Sequence, residues 1–401
     1  MKPRLLAIPA YLTVLAVLST GCGFKLFGWG ERGGKTRKVG YDKEYIRYTG
    51  PLQVGRSYEY KTVEQNTFTE VGGDYDPAVH PDGTRLIFAS TYHDRIPEIY
   101  MKTTRGATVT RLTNSSWAEI QPCFSPDGKS FAYASNRRGN WDICIRRLDG
   151  SRDVRPITHS MKTDEIAPCF HPTRPWIVFS TFSTREGKWV IAAKHLKTGQ
   201  LRYLGQGLYP KFSPDGSKIA FQRARTRSPR WYSIWTIDVD EDLNATNATE
   251  VVSSPKWAAI NPNWSPKGRY LVFATVHESA LAQHTRRVLS GDDIWIVNLE
   301  GQDLIKLTET EEPESHPVWS RDAAGKDRIY FCSMMKGPRN IWSLTPRLPQ
   351  PYGSVRGKLP GPPERNPVPR VRRDEAGVDR PGSLDTYVAP PPPATGRSIP
   401  N

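Results

Sequence analysis

The chain has 401 residues, enough for one large domain with a tail on either side. Its formal net charge is +15, but residues 67–345 hold 36 basic and 31 acidic side chains, so most of the excess lies in the two flanks. This distribution argues against a nucleic acid as the partner, because such a partner needs basic side chains clustered on the folded domain. Basic flanks fit anionic surfaces of a cell envelope better. One group of basic side chains stands out within residues 67–345, but it is interpreted as a solvated connection between strands. Its members are Arg223, Arg225, Arg227 and Arg230.

The first 21 residues have the pattern of a secretory signal peptide. Two basic residues precede an apolar stretch at residues 5–18, which is short for a membrane-spanning helix. Small residues then lead into Cys22, and this junction resembles the cleavage site of bacterial lipoproteins. The resemblance implies that Cys22 carries a lipid that anchors the protein to a membrane. Gly23 follows in place of an aspartate, which by the same resemblance implies the outer membrane, with the protein facing the periplasm.

The two flanks contain no long periodic pattern. Residues 22–66 are rich in glycine, lysine, arginine and tyrosine and are predicted to be a tether. Residues 346–401 contain 14 of the 35 prolines, including the run Pro390–Pro393. Such a segment buries too little apolar surface to fold, so we expect disordered flanks around a folded centre.

Between the flanks, one sequence motif recurs six times. Each copy has a proline, a large apolar residue two positions later, a serine or histidine, often Pro-Asp-Gly, and a short apolar run. In the second copy, residues 122–125 are predicted to be the first strand, and the turn Ser125-Pro126-Asp127-Gly128 follows. The leading prolines, 42 to 55 residues apart, are Pro77, Pro122, Pro168, Pro210, Pro262 and Pro317. This spacing, with room for four short strands in each copy, is typical of a β-propeller.

The apolar runs of each copy agree with that interpretation. The second predicted strand of the second copy reads Phe131-Ala132-Tyr133, a continuous apolar run of the kind expected where other sheets cover both faces. One four-stranded sheet cannot bury both faces alone, but six sheets in a ring can. The sequence therefore predicts an all-β fold, a six-bladed propeller over residues 67–345.

The sixth copy stops after its third strand at Leu344, so its outer strand has to come from elsewhere. The segment Thr67-Phe68-Thr69-Glu70 precedes the first copy in the place that Arg111-Leu112-Thr113 holds before the second. We predict that residues 67–70 pair antiparallel with Asn340–Leu344, with Phe68 packed inward. This pairing would close the ring, whereas an open ring would leave unpaired edges.

These repeats resemble those of TolB-type six-bladed propellers, on the elements Pro-x-Phe-Ser-Pro-Asp-Gly, Ile-Ala-Phe, Asp-Ile, Asp-Gly and Leu-Thr. The resemblance covers residues 67–345 and implies a periplasmic scaffold that binds envelope proteins or peptides. The same repeat motif occurs in the propellers of prolyl oligopeptidase-like peptidases. Against that activity, the phrase Gly128-Lys-Ser130-Phe-Ala132 lacks the second glycine of a nucleophile elbow, and nothing after Leu344 is typical of a hydrolase domain.

Acidic residues recur where the chain enters the first strands of four copies. In a propeller these connections lie at one face near the axis, so a ring of carboxylates there is a candidate site for a cation or a basic partner segment. The alternative is that each carboxylate accepts backbone N–H bonds and orders its own loop. The candidates are Asp74, Asp76, Glu119, Asp164, Glu165 and Glu314.

Histidines and cysteines give weaker signals. Near the first strands lie His80, His171 and His316, of which the first two replace the repeat serine and are interpreted as turn residues. Besides Cys22 the chain has Cys123, Cys144, Cys169 and Cys332. Export permits disulfides, and the alternative is four small buried apolar residues. No cysteine or histidine spacing is typical of zinc, so neither a metal nor a cofactor is predicted.

Two functions remain open on the sequence. The favoured one is a non-catalytic, monomeric, lipid-anchored propeller that presents one face and its central channel to envelope partners. The other is an enzyme acting on polysaccharide, a lyase or a glycosidase, with the channel-mouth acids as its site. Convergent acids and histidines around a deep pocket would favour the enzyme, and a shallow surface with scattered acids would favour the scaffold.

Overall fold

The computed structural model describes residues 63–159, 163–225, 232–277, 292–300, 303–310 and 312–348. Over these residues, 24 strands form six four-stranded antiparallel sheets, and no helix is present. The predicted six-bladed, all-β propeller is therefore confirmed. In the described part of the chain, no helix has the length and apolar character needed to cross a membrane. Cys22, most of the predicted tether and the tail from residue 349 lie outside the described residues.

The first strand of each blade lies on the inside of the ring, where the six first strands contact one another in turn. They are Asp74–Val79 (β2), Glu119–Phe124 (β6), Glu165–Phe170 (β10), Leu208–Phe212 (β14), Trp257–Trp264 (β18) and Glu314–Arg321 (β22). We call the face at which these strands begin the entry face, and the opposite face, with the Ser-Pro-Asp-Gly turns, the turn face.

The second and third strands form the middle of each blade and contain most of the core. The second strands are Arg85–Ser90 (β3), Ser130–Ser135 (β7), Trp176–Ser183 (β11), Lys218–Ala224 (β15), Tyr270–His277 (β19) and Asp327–Ser333 (β23). The third strands are Glu98–Thr103 (β4), Asp142–Arg147 (β8), Lys188–His195 (β12), Tyr232–Val239 (β16), Ile294–Asn298 (β20) and Asn340–Leu344 (β24). Between blades three and four, for example, Val178 and Ile191 pack in one buried cluster with Phe212 and Phe221. Each blade therefore buries its faces against its neighbours, as the continuous apolar runs predicted.

The fourth strands form the outer rim and vary most in length. They are Val109–Arg111 (β5), Val154–Pro156 (β9), Leu201–Gln206 (β13), Ala245–Val252 (β17), Leu304–Lys306 (β21) and, for blade six, Glu64–Gln65 (β1).

The first strands begin earlier than the sequence suggested. In blade two the strand starts at Glu119 and not at Pro122. Proline, which cannot donate a backbone hydrogen bond, is tolerated inside this strand because the pairing of β6 with β7 shifts register between Ile120 and Cys123. The other five first strands have the same bulge around their leading proline. The proline marks a bulge in the strand and not its start.

The N-terminal segment closes blade six, as predicted, but with other residues. Glu64 pairs with Ser343 and Gln65 with Trp342 in an antiparallel ladder. The predicted pairing of residues 67–70 is wrong, because the segment is shifted by two residues. Gln65, and not Thr67, holds the place that Arg111 holds in blade one. Phe68 lies beyond the strand with 66% of its surface exposed, and it does not pack inward. A strand repeats its side-chain direction every two residues, and the alternation of Thr67 and Thr69 fits both registers.

Candidate functional site

The central channel is lined by the residue that precedes each leading proline. All six have φ between 51° and 55°, in the left-handed region that non-glycine residues seldom occupy. They are Asp76, Gln121, Ala167, Tyr209, Asn261 and His316. The left-handed residue and the bulge together let the inner strand carry a proline and still pair with the second strand. We call these six residues the axial ring.

Polar contacts connect the axial ring across the channel. Asp76 Oδ1 lies 3.2 Å from His316 Nε2, and the Gln121 side-chain amide donates to the Tyr209 hydroxyl at 3.1 Å. Gln121 Oε1 also accepts from the Ala167 backbone N–H at 2.8 Å. The ring borders a cavity of about 50 Å³. Burial lowers the pKa of His316, and the neighbouring Asp76 carboxylate opposes this effect.

A larger depression opens on the turn face at the other end of the inner strands. We call it the funnel; its volume is about 380 Å³. Aromatic, proline, serine and asparagine side chains form its wall, and Arg321 is its one ionisable lining residue. The full lining is Pro81, Phe170, Pro172, Phe212, Ser213, Pro214, Asn263, Trp264, Ser265, Pro266, Trp319, Ser320 and Arg321.

Four of the six predicted site acids lie inside the protein and not at a channel mouth. Asp74, Glu119, Glu165 and Glu314 are the first residues of their strands, and each is at most 3% exposed. The other two are half-buried: Asp76 belongs to the axial ring, and Asp164 accepts the Trp141 backbone N–H at 3.0 Å. The structure therefore does not bring the six carboxylates together. Within the described ranges, no group of three or more His, Cys, Asp or Glu side chains is arranged to hold a metal ion.

Each buried acid belongs to a repeated contact between consecutive blades. A threonine after the outer strand places its hydroxyl between this acid and the residue at the start of the preceding third strand, or, in blade five, the residue just before that strand. In blades one and two, Thr113 Oγ1 donates to Glu98 at 2.5 Å and accepts the Ile99 backbone N–H at 2.9 Å, with Glu119 beside it. We call this arrangement a blade junction. The other junctions are Asp142/Thr158/Glu165, Asp293/Thr308/Glu314 and Asn340/Thr67/Asp74.

The junctions raise the pKa of the buried acids above its ordinary value. Burial raises the pKa of Glu165 to about 7 and that of Glu314 to about 8. A second carboxylate acts in the same direction, from Asp142 on Glu165 and from Asp293 on Glu314. Burial also raises the pKa of Glu119. The buried acids accept hydrogen bonds from threonine hydroxyls, and Glu119 also pairs with Arg137 at 2.7 Å, so the geometry suits joining blades better than capturing a ligand from solvent.

The two repeat histidines connect neighbouring turns, as their interpretation as turn residues suggested. His80 Nε2 lies 3.1 Å from the Gly128 carbonyl oxygen of the next blade, and His171 packs edge-on against Phe212. All four described cysteines are free. Cys144 and Cys332 are buried in strands, whereas Cys123 and Cys169 are half-buried.

The sequence pointed to Asp76 and His316 but not to the other members of the axial ring, Gln121, Ala167, Tyr209 and Asn261, nor to the role of the junction threonines. Their signals were present, because the residue before each leading proline is polar in five of six copies. A threonine also follows several outer strands, as in Leu112-Thr113 and Leu307-Thr308. Their meaning depends on partners in the neighbouring blade, which the repeat alone does not reveal.

Comparison with known proteins identifies the type of propeller. The family model described as the TolB beta propeller domain matches residues 59–240. A TolB homolog from Chlorobium chlorochromatii is 30% identical over 144 residues, which are 36% of this chain and 32% of the relative. The Tol-Pal system protein TolB of Helicobacter pylori is 22% identical over 186 residues, 45% of this chain and 43% of the relative. The chain thus matches less than half the length of these two relatives.

Solved structures agree on the fold. The structure of a putative TolB from Agrobacterium tumefaciens superposes with a TM-score of 0.52 at 17% identity, covering 71% of this chain and 97% of that one. A gluconolactonase from Xanthomonas campestris gives a TM-score of 0.50 at 13% identity, covering 71% and 88%. At these identities the likeness shows the fold alone. The predicted TolB-type propeller is confirmed.

Proposed function

We propose that this TolB-type propeller is a non-catalytic protein-binding disc of the cell envelope, and that it docks a partner protein in the funnel. The chemistry of the funnel wall carries the proposal. The volume of the funnel is within the range of ligand sites. The lining of the funnel, however, holds neither a carboxylate nor a histidine that could act as a general acid or base. Aromatic side chains and one arginine are the residue types that anchor protein interfaces.

The relatives support the same class of function. One carries the name Tol-Pal system protein, which describes a component of an assembly. By analogy, the partners of this chain are envelope proteins or peptides. We further propose that Cys22 carries a lipid that holds the disc at the outer membrane, facing the periplasm. Mass spectrometry of the mature N-terminus tests this part, and an unmodified Cys22 in the native protein would contradict it.

A second candidate, an enzyme, is favoured by one observation. Asp76, His316 and Tyr209 converge on the channel, and the Tyr209 and His316 rings are 6.0 Å apart. The cavity beside them, at about 50 Å³, has room for water but not for a sugar ring. The same fold also occurs in a protein described as a gluconolactonase. Turnover of a polyuronate or a lactone that is abolished by Asp76→Asn would establish the enzyme.

The docking proposal is tested at the rim of the funnel. Arg321 is 46% exposed at its side chain and lies 3.7 Å from Asp327 on the paired strand, so Arg321→Glu should cost no more than about 1 kcal/mol of stability while reversing the charge at the site. We expect about a tenfold loss of affinity for the purified Tol-Pal proteins of the same cell, measured by calorimetry.

The matched control for this test is Arg147→Glu. Arg147 is 72% exposed and pairs with Asp149 at 2.7 Å on a third strand, away from the funnel lining. Its variant should bind like the unmodified protein. Equal affinity of both variants, or a larger loss in the control, would contradict docking in the funnel.

A further inference from the structure

The outer edge of blade three differs from those of the other blades. Its strand β13, Leu201–Gln206, is six residues long, whereas four of the six outer strands have two or three residues. No strand of the described residues pairs with the far side of β13, so its outward backbone N–H and C=O groups are available. A bulge at Leu204 shifts its register with β12 but does not cover that edge.

The same strand exposes two large apolar side chains. Leu201 is 44% exposed and Tyr203 is 68% exposed, and alternation along a strand places both on one face. Leu204 points the other way and packs in the core between blades three and four. The exposed face is therefore turned towards blade two, whose outer strand has only three residues. The outer edge of β13, which we call the ledge, thus combines unpaired backbone groups with apolar side chains at alternate positions.

The hairpin that contains this edge carries charged side chains of one sign only. The hairpin Lys188–Gln206 contains four basic residues and no acidic one, and Arg155 of blade two reaches its turn, donating to the Leu196 carbonyl at 2.7 Å. The corresponding hairpin of blade four, Tyr232–Val252, contains five acidic residues and no basic one. Electrostatic complementarity favours a negatively charged occupant on blade three.

We propose that β13 is a strand-addition site, which takes an extended, acidic segment of a partner protein as the fifth strand of blade three. Backbone hydrogen bonds along the edge would hold the segment, and Leu201 and Tyr203 would contact its apolar residues at alternate positions. The inference rests on the proposed protein-binding role but uses a surface separate from the funnel. Pairing of β13 with β13 of a second copy would bring like charges together. The outer strand β17 of blade four is a poorer edge for such a segment, because its exposed residues are Ala, Thr, Asn and Glu, with no large apolar side chain among them.

The probe is a short synthetic peptide that alternates glutamate with valine and tyrosine, compared with the same peptide in which lysine replaces glutamate. Binding to the full chain is followed by fluorescence anisotropy, and amide hydrogen exchange locates the site. We expect the acidic peptide to bind and to slow exchange within Leu201–Gln206, since a new strand protects edge amides that side-chain contacts alone would leave open.

Variants then separate this site from others. Tyr203→Glu should weaken peptide binding by about tenfold or more. Val109→Glu, on the outer strand β5 where Val109 is 46% exposed, should bind normally. Arg321→Glu should also bind the peptide normally, so failure of the funnel proposal and failure of this one give different results.

Several results would overturn the proposal. They are absence of binding by the acidic peptide, equal binding by the lysine peptide, or protection of amides elsewhere than in β13. Sedimentation of the unmodified chain provides one further test of the proposal. Self-association that Tyr203→Glu abolishes would assign the edge to a second copy of this chain and refute the acidic partner segment.

Discussion

The inner and outer halves of each blade follow different rules. The six first strands share one bulge, one left-handed residue and one proline, whereas the outer strands range from two to eight residues. The inner strands meet around a common axis, so a change in one would misplace its neighbours. The outer strands have a neighbour on one edge only and can differ in length and charge. Repetition therefore indicates where blades constrain one another, and divergence indicates where partners can be accommodated.

Glycines show the same contrast. Gly83 lies in the turn after a first strand, and a Cβ atom there would overlap the Arg321 carbonyl oxygen of blade six. Gly150 lies in a turn between third and fourth strands, with φ of 84°, and a Cβ atom there would meet nothing within 4 Å. Inner turns pack on the preceding blade, whereas outer turns such as this one face open space.

The largest expected effect comes from removing β1, the outer strand that closes blade six. A chain beginning at Phe68 loses β1, two backbone bonds to the Ile341 carbonyl and the contacts of Thr67 with Asn340. At about 1 kcal/mol for each hydrogen bond, we expect a loss of about 3–5 kcal/mol and a less cooperative melt by calorimetry. A chain beginning at Val63 is the control and should melt like the full chain. If the shorter chain melts equally well, β1 does not close the ring.

The glycine contrast predicts the next effect. Gly83→Ala should cost about 3 kcal/mol, because it combines a left-handed φ of 73° with a backbone overlap. Gly150→Ala should cost about 1 kcal/mol, since only the conformational term applies. Urea unfolding of both variants measures the difference. Equal losses would show that inner turns are no more constrained than outer ones.

The junction threonines give a smaller effect. Thr308→Val keeps the shape but removes the hydroxyl that binds Glu314 and accepts the Ile294 N–H at 2.8 Å. Two buried polar groups then lose a partner, and we expect a loss of about 2 kcal/mol in the free energy of unfolding. The control is Thr249→Val on β17, where the threonine is exposed and its hydroxyl donates to the Asn247 carbonyl of the same strand at 3.2 Å. It should change stability by less than about 0.5 kcal/mol.

The same contrast explains what the sequence could reveal. The six copies predict the blades, because turn residues and apolar runs act within a copy. The N-terminal closure was predicted two residues off, since Thr67 and Thr69 give the same alternation. The acids of the candidate site were expected at a channel mouth, but Glu119 and Glu165 are buried, and each is hydrogen-bonded to a threonine that comes from the preceding blade. Contacts between copies depend on how the ring closes, so a pattern within one copy can mark such residues but does not identify their partners.

The smallest effect is a pH dependence that originates in the junction between blades five and six. Burial raises the pKa of Glu314 to about 8 from an ordinary value of 4.5. Between these values the folded chain binds a proton that the unfolded chain has released. Protonation thus stabilises the fold fully below the ordinary pKa, and this contribution is lost as the pH rises through the folded value. We expect Glu314 alone to lower the free energy of unfolding by about 1 kcal/mol for each pH unit between about pH 6.5 and about pH 8. Glu165, whose pKa burial raises to about 7, adds to the fall at the lower end of this range.

Glu314→Gln separates this junction from the rest of the protein. The amide cannot ionise but still accepts from the Thr308 hydroxyl, so the variant should show a flatter dependence and exceed the unmodified chain in stability near about pH 9. Glu309→Gln is the matched control, because Glu309 is 63% exposed and shares Lys306 with Asp293 at the same junction. Its slope should equal that of the unmodified chain in urea unfolding across the series. An unchanged slope in Glu314→Gln would mean that the carboxyl is ionised inside the fold, and that the junction holds a charge and not a proton.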